Sequence, residues 1–473
     1  MGLFLDASYC MKPPFDIAGD LDTPVSAYAK LASFRPRFLL ESVEGGERLG
    51  RYSFIGFGAA LEVRLDERSF TIGARTLPVP RNAPELLAGL RQALAAAPRP
   101  LPELGTVPLA GGLVGYTSYD VVRYFERLPQ QAARLPNPPP LLHYVAPPSL
   151  LVFDHLTRAI ALLHAGSEAE RASLRREVIR ALRGPMPGNP TRPGSHAPPK
   201  AALSRDAYLA GVRRAQQYIA AGDVYQLVLS SRYSGRHDLD PFQTYRALRL
   251  LNPSPYMFYC HLDELDVVGS SPEALVRLSA GHAELRPIAG TRPRSGDAVL
   301  DAAQEAGLLA DPKETAEHVM LVDLARNDLG RVAQAGSVQV DPFRAIERYS
   351  HVMHIVSGVH GRLAPGRDAF DLFAAAFPAG TLVGAPKVRA MQIIEELEPV
   401  RRGLYGGTVG YFGARGDMDQ AITIRSLVFQ GDEYSYQAGA GIVADSRPEA
   451  EHDEVLAKSA AAVQALRVAE EGL

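Results

Sequence analysis

The sequence predicts an α+β protein with large antiparallel β-sheets and helices on their outer faces. Three apolar, strand-like runs near the C-terminus are joined by connections too short for helical crossovers, so they should pair antiparallel. Amphipathic helices flank these runs and must bury their apolar faces against a sheet. A chain of 473 residues with 46% hydrophobic and 22% charged residues can form a large core, which excludes a disordered or fibrous protein.

Before residue 184, short β-like runs dominate and two helical patches lie between them. Short apolar runs between turn residues predict strands, and apolar residues three to four apart predict helices. The predicted strands are 37–41, 52–56, 60–65 and 149–153, and the predicted helices are 85–96 and 168–182.

After residue 200 the helical patterns become longer. The predicted helices are 205–221, 313–328, 368–376, 385–397 and 448–471. The predicted strands are 226–231, 265–269, 407–412, 419–429 and 433–444, and the last three form the antiparallel set.

Residues 184–200 combine Pro, Gly and Ser without any apolar period, which is typical of a connector. We therefore predict an N-terminal α/β region over residues 1–183 and a second region over residues 201–473.

Composition excludes several classes of function. The 50 basic and 53 acidic side chains leave a net charge of −3, which provides no field for binding nucleic acid. Two cysteines, Cys10 and Cys260, are too few for a disulfide framework and fit a reducing compartment. No stretch approaches a membrane span, and the N-terminus does not resemble a signal peptide. We expect a cytoplasmic protein. The chain has 19 Tyr and 17 Phe but no Trp.

Two helical segments carry carboxylates on one face. Glu314 and Glu317 are three residues apart, and Glu451, Glu454 and Lys458 repeat this helical spacing. If the two faces met across a cleft, their oxygen atoms would suit Mg²⁺. Such pairs are also common on solvated helix faces, so the spacing leaves both interpretations open.

Other motifs are weaker. Gly439 and Gly441 precede another strand rather than a helix, which argues against a dinucleotide loop. They fit either a close approach of a ligand or a sheet bend. A phosphate loop and a nucleophile elbow are both absent from the sequence.

Longer motifs resemble the chorismate-utilising enzyme family over essentially the whole chain. The motifs that carry the resemblance are PIAGTRPR (287–294), AEHVMLVDLARNDLGRV (316–332), RYSHVMHIVSGV (348–359), PAGTLVGAPKVRAMQII (378–394), YGGTVGYF (405–412), QAGAGIVADS (437–446) and EAEHDEVLAK (449–458). FLLES (38–42), GRYSFIG (50–56) and GYTSYDVVRYFERLP (115–129) resemble the anthranilate-forming members. The resemblance implies two large, mainly antiparallel sheets packed as a sandwich.

Three features favour anthranilate formation within this family. Gln226 stands where water-adding members carry a Lys, and Ala289 stands where aminodeoxychorismate synthases carry one. The segment 252–259 resembles the tryptophan feedback pocket. Two alternatives stay open: an aminodeoxychorismate synthase component, and a non-catalytic protein that binds chorismate or tryptophan.

The resemblance also implies roles for individual residues. The implied catalytic residues are Glu273 as the general acid, His354 and Thr381. The implied substrate contacts are Gly290, Thr291, Thr381, Tyr405, Arg425, Gly439, Gly441 and Lys458. The implied Mg²⁺ ligands are Glu317 and Glu454, supported directly or through water by Glu314 and Glu451. The implied L-tryptophan site consists of Leu40, Glu41, Ser42, Arg51, Pro255, Tyr256, Met257 and Phe258.

No segment resembles a glutamine amidotransferase. The resemblance therefore implies that ammonia comes from a separate glutaminase subunit, component II, in a heterotetramer with two copies of each chain. It further implies feedback inhibition by L-tryptophan.

Overall fold

The computed structural model describes residues 14–42, 50–105, 107–188, 194–348 and 352–473. Cys10 lies outside these ranges, whereas Cys260 is buried as a free thiol. The helices within the described ranges are α1 (Pro24–Lys30), α2 (Ala83–Ala96), α3 (Val122–Phe125), α4 (Glu168–Leu182), α5 (Arg205–Ala220), α6 (Pro241–Leu251), α7 (Ala298–Ala310), α8 (Pro312–Gly330), α9 (Ala369–Ala376), α10 (Gly380–Val383), α11 (Lys387–Leu397) and α12 (Pro448–Glu471).

The strands lie on either side of the segment 184–199 in the sequence. Before that segment they are β1 (Phe15–Ala18), β2 (Pro36–Glu41), β3 (Tyr52–Phe57), β4 (Leu61–Leu65), β5 (Phe70–Ile72), β6 (Arg75–Leu77), β7 (Gly112–Thr117), β8 (Leu142–Ala146), β9 (Ser149–Asp154) and β10 (Ala159–His164). After it they are β11 (Lys200–Ala201), β12 (Gln226–Arg236), β13 (Tyr256–Leu262), β14 (Leu265–Ser271), β15 (Ala274–Ser279), β16 (His282–Leu285), β17 (Ile288–Pro293), β18 (Gln339–Val340), β19 (Ala345–Arg348), β20 (Val352–Val356), β21 (Val359–Arg362), β22 (Gly384–Ala385), β23 (Thr408–Gly413), β24 (Met418–Ile422), β25 (Ser426–Gln430) and β26 (Glu433–Ile442).

Two large antiparallel sheets form the centre of the molecule and confirm the predicted fold class. In the described residues one sheet has the order β1-β10-β9-β3-β2-β13-β14-β25-β26-β12-β11, with β22 beside β12. The other has the order β18-β21-β16-β15-β24-β23-β7-β8-β4-β5-β6, and β17, β20 and β19 form a small third sheet. Phe38 and Val152 of the first sheet share one apolar cluster with Tyr116 and Val145 of the second. Burial of this interface is the main source of stability for such a sandwich.

Both large sheets contain strands from before and after residues 184–200. β2 pairs with β13 in the first sheet, and β7 pairs with β23 in the second. The predicted division of the sequence into residues 1–183 and 201–473 therefore stays a prediction. Residues 189–193 of the connector lie outside the described residues.

One predicted strand is wrong. The segment 419–429 forms two strands, since β24 belongs to one large sheet and β25 to the other. The chain crosses between the sheets at residues 423–425, where Arg425 adopts a φ of 49°. A positive φ is incompatible with a continuous strand, and a non-glycine residue gives no sequence signal for it.

The long helices cover the outer faces of the sheets. α12 packs against α5, α6 and β26, and α8 packs against β17 and α9. No helix in the described ranges has the length and hydropathy needed to cross a membrane.

Candidate active site

The predicted substrate contacts gather where β26, β12 and α12 meet. Gly439 and Gly441 of β26 pair with Ser230 and Val228 of β12. The Lys458 Nζ on α12 donates to the carbonyl oxygen of Gly439 over 3.1 Å. A Cβ atom at Gly439 would lie 2.8 Å from the Tyr405 hydroxyl oxygen, so a larger residue would displace Tyr405 from the backbone.

Glu273 has a strongly raised pKa, and its side chain is hydrogen-bonded to Thr381. The Thr381 Oγ1 donates to Glu273 Oε1 over 3.0 Å, although the two residues are separated by 108 positions. Burial raises the pKa of Glu273 to about 7, and only the Thr381 hydrogen bond and the charge of Lys458 oppose that effect. A carboxyl group with such a pKa keeps its proton near neutral pH and can act as a general acid.

His354 belongs to the small third sheet, where its strand pairs with the strand of Gly290 and Thr291. The His354 Nδ1 lies 3.0 Å from the Gly290 carbonyl oxygen and 3.1 Å from Thr291 Oγ1. Since a carbonyl oxygen only accepts, Nδ1 carries the proton in the neutral ring, and Nε2 is then the basic nitrogen. Residues 349–351 of this motif lie outside the described residues.

The backbone at Gly290 connects this small sheet to the carboxylates of α8. Gly290 has a φ of 69° at a bulge, and a Cβ atom there would lie 3.0 Å from Glu314 Oε2. Both the positive φ and the close approach favour glycine. Arg292 Nη1 on the same strand pairs with Glu314 Oε1 over 3.2 Å.

The four predicted metal ligands lie on α8 and α12, and Glu317 of α8 lies within electrostatic range of Glu454 of α12. Burial raises the pKa of Glu317, a hydrogen bond from Gln226 opposes this, and the charges of Glu314 and Glu454 raise it further. Burial also raises the pKa of Glu451, with a contribution from Glu454. The carboxylates therefore repel one another across the cleft, and a divalent cation would relieve that repulsion.

No three of these four glutamates bring their oxygen atoms within 4.8 Å of one another. In the described part of the chain, only Glu62, His143 and Asp263 meet that criterion as a set of metal-ligating types. Arg37 pairs with both Glu62 and Asp263, just as Arg292 pairs with Glu314 and Lys458 with Glu454. Both groups of carboxylates therefore have cationic partners, and the donor atoms distinguish them. The glutamates of α8 and α12 offer only carboxylate oxygens, the donor atoms that Mg²⁺ prefers. Because these oxygens lie far apart, side-chain movement or bound water is needed to complete the coordination shell of the ion.

Arg425 carries no ion pair in the part of the chain that the structure describes. Its backbone oxygen accepts from the Ser270 N–H over 3.2 Å, close to the start of the Glu273 segment. The Arg425 residue is exposed to solvent. Protein atoms around its guanidinium nevertheless displace part of the water, and this desolvation lowers the pKa of Arg425. An unpaired guanidinium in such surroundings favours a carboxylate ligand.

The eight residues of the predicted effector site all line one cavity of about 450 Å³ between the two large sheets. Two of its charged groups are already engaged, because Glu41 pairs with Arg249 and Arg51 pairs with Asp154. The Ser42 Oγ is buried and has no hydrogen-bond partner within the described residues. It can therefore bond a polar ligand.

The sequence analysis did not predict two ion pairs of this region. Arg277 and Asp419 pair over 3.1 Å in the wall of the effector cavity. Arg402 and Glu398 form a fully buried pair over 2.7 Å. The Arg402 guanidinium also donates to the carbonyl oxygens of Leu382 and Val228, and so supports the segment next to Thr381. Only the i, i+4 spacing of Glu398 and Arg402 was visible in the sequence.

A carboxyl group whose pKa is raised to about 7, beside a hydroxyl and near two carboxylate-bearing helices, is typical of an enzyme that performs acid–base chemistry on a small molecule. Comparison with known proteins defines this class further. The family model described as chorismate binding enzyme matches residues 35–464. The chain belongs to this family.

Named relatives and solved structures agree with that assignment. The chain is 48% identical to "Anthranilate synthase component 1" of Thermus thermophilus, over 96% of this chain and 97% of the relative. It is 44% identical to the protein of the same name from Aquifex aeolicus, over 99% and 97%. The crystal structure of anthranilate synthase component I from Streptococcus pneumoniae superposes with a TM-score of 0.79 at 32% identity, covering 94% of this chain and 98% of that one. A menaquinone-specific isochorismate synthase from Escherichia coli, at 21% identity and a TM-score of 0.69 over 94% and 91%, shares the fold.

Proposed function

We propose that this chain converts chorismate and ammonia to anthranilate, pyruvate and water, the first committed step of tryptophan synthesis. The Glu273–Thr381 pair carries the proposal, because loss of the C4 hydroxyl as water requires a proton that a carboxyl group with a pKa of about 7 can supply. The names of the similar proteins support the identity of the substrate and product.

Other residues of the cleft are proposed to bind the substrate and to transfer its protons. The unpaired Arg425 guanidinium and the backbone N–H groups near Gly439 hold the enolpyruvyl carboxylate. Ammonia forms a bond to C2 while the C4 oxygen leaves with the proton of Glu273. The ammonium group formed at C2 loses one proton to solvent. His354 then takes the C2 proton at Nε2, the bond between C3 and the ether oxygen breaks, and the released enolpyruvate takes up a proton at its methylene carbon to become pyruvate.

Mg²⁺ is the metal that suits the carboxylates of the cleft. Glu317 and Glu454 would hold it, with Glu314 and Glu451 in support. When bound, the ion would offset the charge of the substrate ring carboxylate. The mutual repulsion of these glutamates supports this assignment.

Ammonia is proposed to come from a separate glutaminase subunit in the cytoplasm, with two copies of each chain in the complex. The words "component 1" in the relatives' names support a second component. L-tryptophan is proposed to inhibit by binding the cavity of about 450 Å³ at Ser42.

The test is incubation of the purified chain with chorismate, Mg²⁺ and ammonium at about pH 7, where a carboxyl group with the pKa of Glu273 still holds part of its protons, followed by mass spectrometry and fluorescence of the product. We expect anthranilate to accumulate without any added glutaminase. Accumulation of aminodeoxychorismate alone would overturn the proposal in favour of the folate-type reaction. Unchanged chorismate would support a non-catalytic binding protein. A parallel incubation with EDTA serves as the metal-free control.

A further inference from the structure

We propose that a second cavity, adjoining Tyr405, is a binding site for an aromatic amino-carboxylate, and that its ligand is the anthranilate formed in the cleft. This inference rests on the proposed function, since it names the destination of that reaction's aromatic product.

The cavity has a volume of about 390 Å³ and lies against the β12, β25 and β26 strands. Its exposed mouth lies at Pro136, Asn137, Lys200 and Glu433. Its inner wall includes Tyr405, the same residue whose hydroxyl approaches Gly439. The cavity therefore extends from the surface to a residue of the candidate active site.

Arg232 is a cation of this cavity whose nearest carboxylate, that of Glu433 at the mouth, raises its pKa without forming an ion pair with it. Its Nη2 donates to Ser435 Oγ over 2.9 Å, and within the described residues it forms no ion pair. Burial lowers the pKa of its guanidinium, whereas the neighbouring Arg402 is neutralised by Glu398. Arg232 is half-buried, and a guanidinium that is hydrogen-bonded only to a hydroxyl can still take up a carboxylate from a ligand.

Two further polar atoms around the cavity have no partner among the described residues. They are the Thr423 hydroxyl and the Gln437 Oε1. Thr423 is 2% exposed and Gln437 is 8% exposed, so bulk water does not readily satisfy them. An unpaired buried amide oxygen requires an N–H or O–H donor. The amino group of anthranilate is such a donor, and pyruvate has none.

The remaining wall is largely apolar and suits an aromatic ring. Leu135, Leu404, Val428 and Tyr436 line it, and apolar pockets with a few oriented polar groups are typical of small-molecule sites. The polar groups of the cavity also lie close to the cleft along the sheet. Ser230, opposite Gly439, and Arg232, opposite Gln437, lie on one face of β12 about 7 Å apart.

The experiment is a titration of the purified chain with anthranilate, followed by the ligand's own fluorescence. The chain contains no Trp, so its intrinsic emission does not interfere. Arg232→Gln removes the proposed anion partner. Arg236→Gln is the matched control, because Arg236 lies on the same strand and pairs with Asp432 at the surface. Glu317→Gln, titrated with Mg²⁺ present, tests for binding in the active-site cleft, because the proposed Mg²⁺ site holds the ring carboxylate that anthranilate keeps.

We expect Arg232→Gln to weaken anthranilate binding by about tenfold or more, as for loss of a charge-assisted hydrogen bond. The affinities of Arg236→Gln and Glu317→Gln for anthranilate should stay within twofold of that of the unmodified chain. Benzoate, which lacks the amino donor for Gln437, should bind more weakly than anthranilate. Thermal melting checks that each variant is folded. If Arg232→Gln does not fold, Val428→Phe, which fills the cavity, should cause the same loss.

Three results would overturn the inference. They are the absence of saturable binding, unchanged affinity in Arg232→Gln or its cavity-filling replacement, and a loss in Glu317→Gln as large as in Arg232→Gln. Because the titration contains no chorismate, its outcome is independent of turnover. Failure to form anthranilate from chorismate would instead contradict the proposed function.

Discussion

Replacing Glu273 with Gln removes an ionisable group from the cleft while keeping its hydrogen bond. The amide oxygen of Gln can accept from Thr381 Oγ1 as the carboxyl oxygen does at 3.0 Å. The substitution therefore separates the proton of Glu273 from its packing. We expect opposite effects on activity and on stability.

The size of the stability effect follows from the pKa of Glu273. Burial raises this pKa from 4.5 to about 7. Below pH 4.5 the group is protonated in both the folded and the unfolded chain, so it contributes no pH dependence. Between pH 4.5 and 7 only the unfolded chain ionises, so the free energy of unfolding falls as the pH rises. Above pH 7 the loss is complete at about 3 kcal/mol. Glu273→Gln avoids this loss.

The assay is urea unfolding at pH 5 and pH 8, together with chorismate turnover. At pH 8 Glu273→Gln should unfold with a free energy up to about 3 kcal/mol higher than the unmodified chain, and the difference should shrink toward pH 5. Turnover should fall by about 100-fold or more, because the general acid is lost. Glu264→Gln, at an exposed position, is the control. Retained turnover in Glu273→Gln would refute the role of Glu273 as the general acid. A difference in unfolding free energy that is the same at pH 5 and pH 8 would refute the effect of burial on its pKa.

Three further substitutions test other parts of the structure. Glu317→Gln should lower turnover by about 100-fold or more and weaken Mg²⁺ binding in calorimetry; near-normal values of both would exclude Glu317 as a ligand. Ser42→Phe should fill part of the effector cavity and weaken tryptophan binding by about tenfold or more while the uninhibited rate stays constant; tryptophan emission reports the binding, and unchanged affinity would contradict the pocket. Arg402→Met leaves Glu398 buried alone and should lower the free energy of unfolding by about 3 to 5 kcal/mol in urea; a loss below about 1 kcal/mol would show that the pair is not needed for stability.

Local patterns predicted most of the long elements well. The helix predicted over 448–471 has the bounds of α12 (Pro448–Glu471), because Pro448 marks its first turn and a long amphipathic run follows. By contrast, α6 (Pro241–Leu251) was missed, although its Asp240 N-cap bonds the Phe242 N–H. The break at Arg425 had no local signal, because the crossing between two sheets sets that backbone conformation.

The candidate site shows the same limit. Helical spacing placed Glu314 with Glu317 on one helix and Glu451 with Glu454 on another, and the structure brings the two faces within electrostatic range. The family resemblance named Glu273 and Thr381 separately as site residues, but the contact between them was not predicted, since no periodicity connects residues so far apart. The cavity beside Arg232 was not predicted, because three strands and a distant loop form it.

The ratio of pyruvate to anthranilate tests the central claim most directly. Pyruvate is measured with lactate dehydrogenase and NADH, and anthranilate by its fluorescence, in one incubation of the chain with chorismate, Mg²⁺ and ammonium. The proposed reaction predicts equal amounts of both products at every time point. Consumption of chorismate without pyruvate would contradict the claim, because amination alone keeps the enolpyruvyl group on the ring.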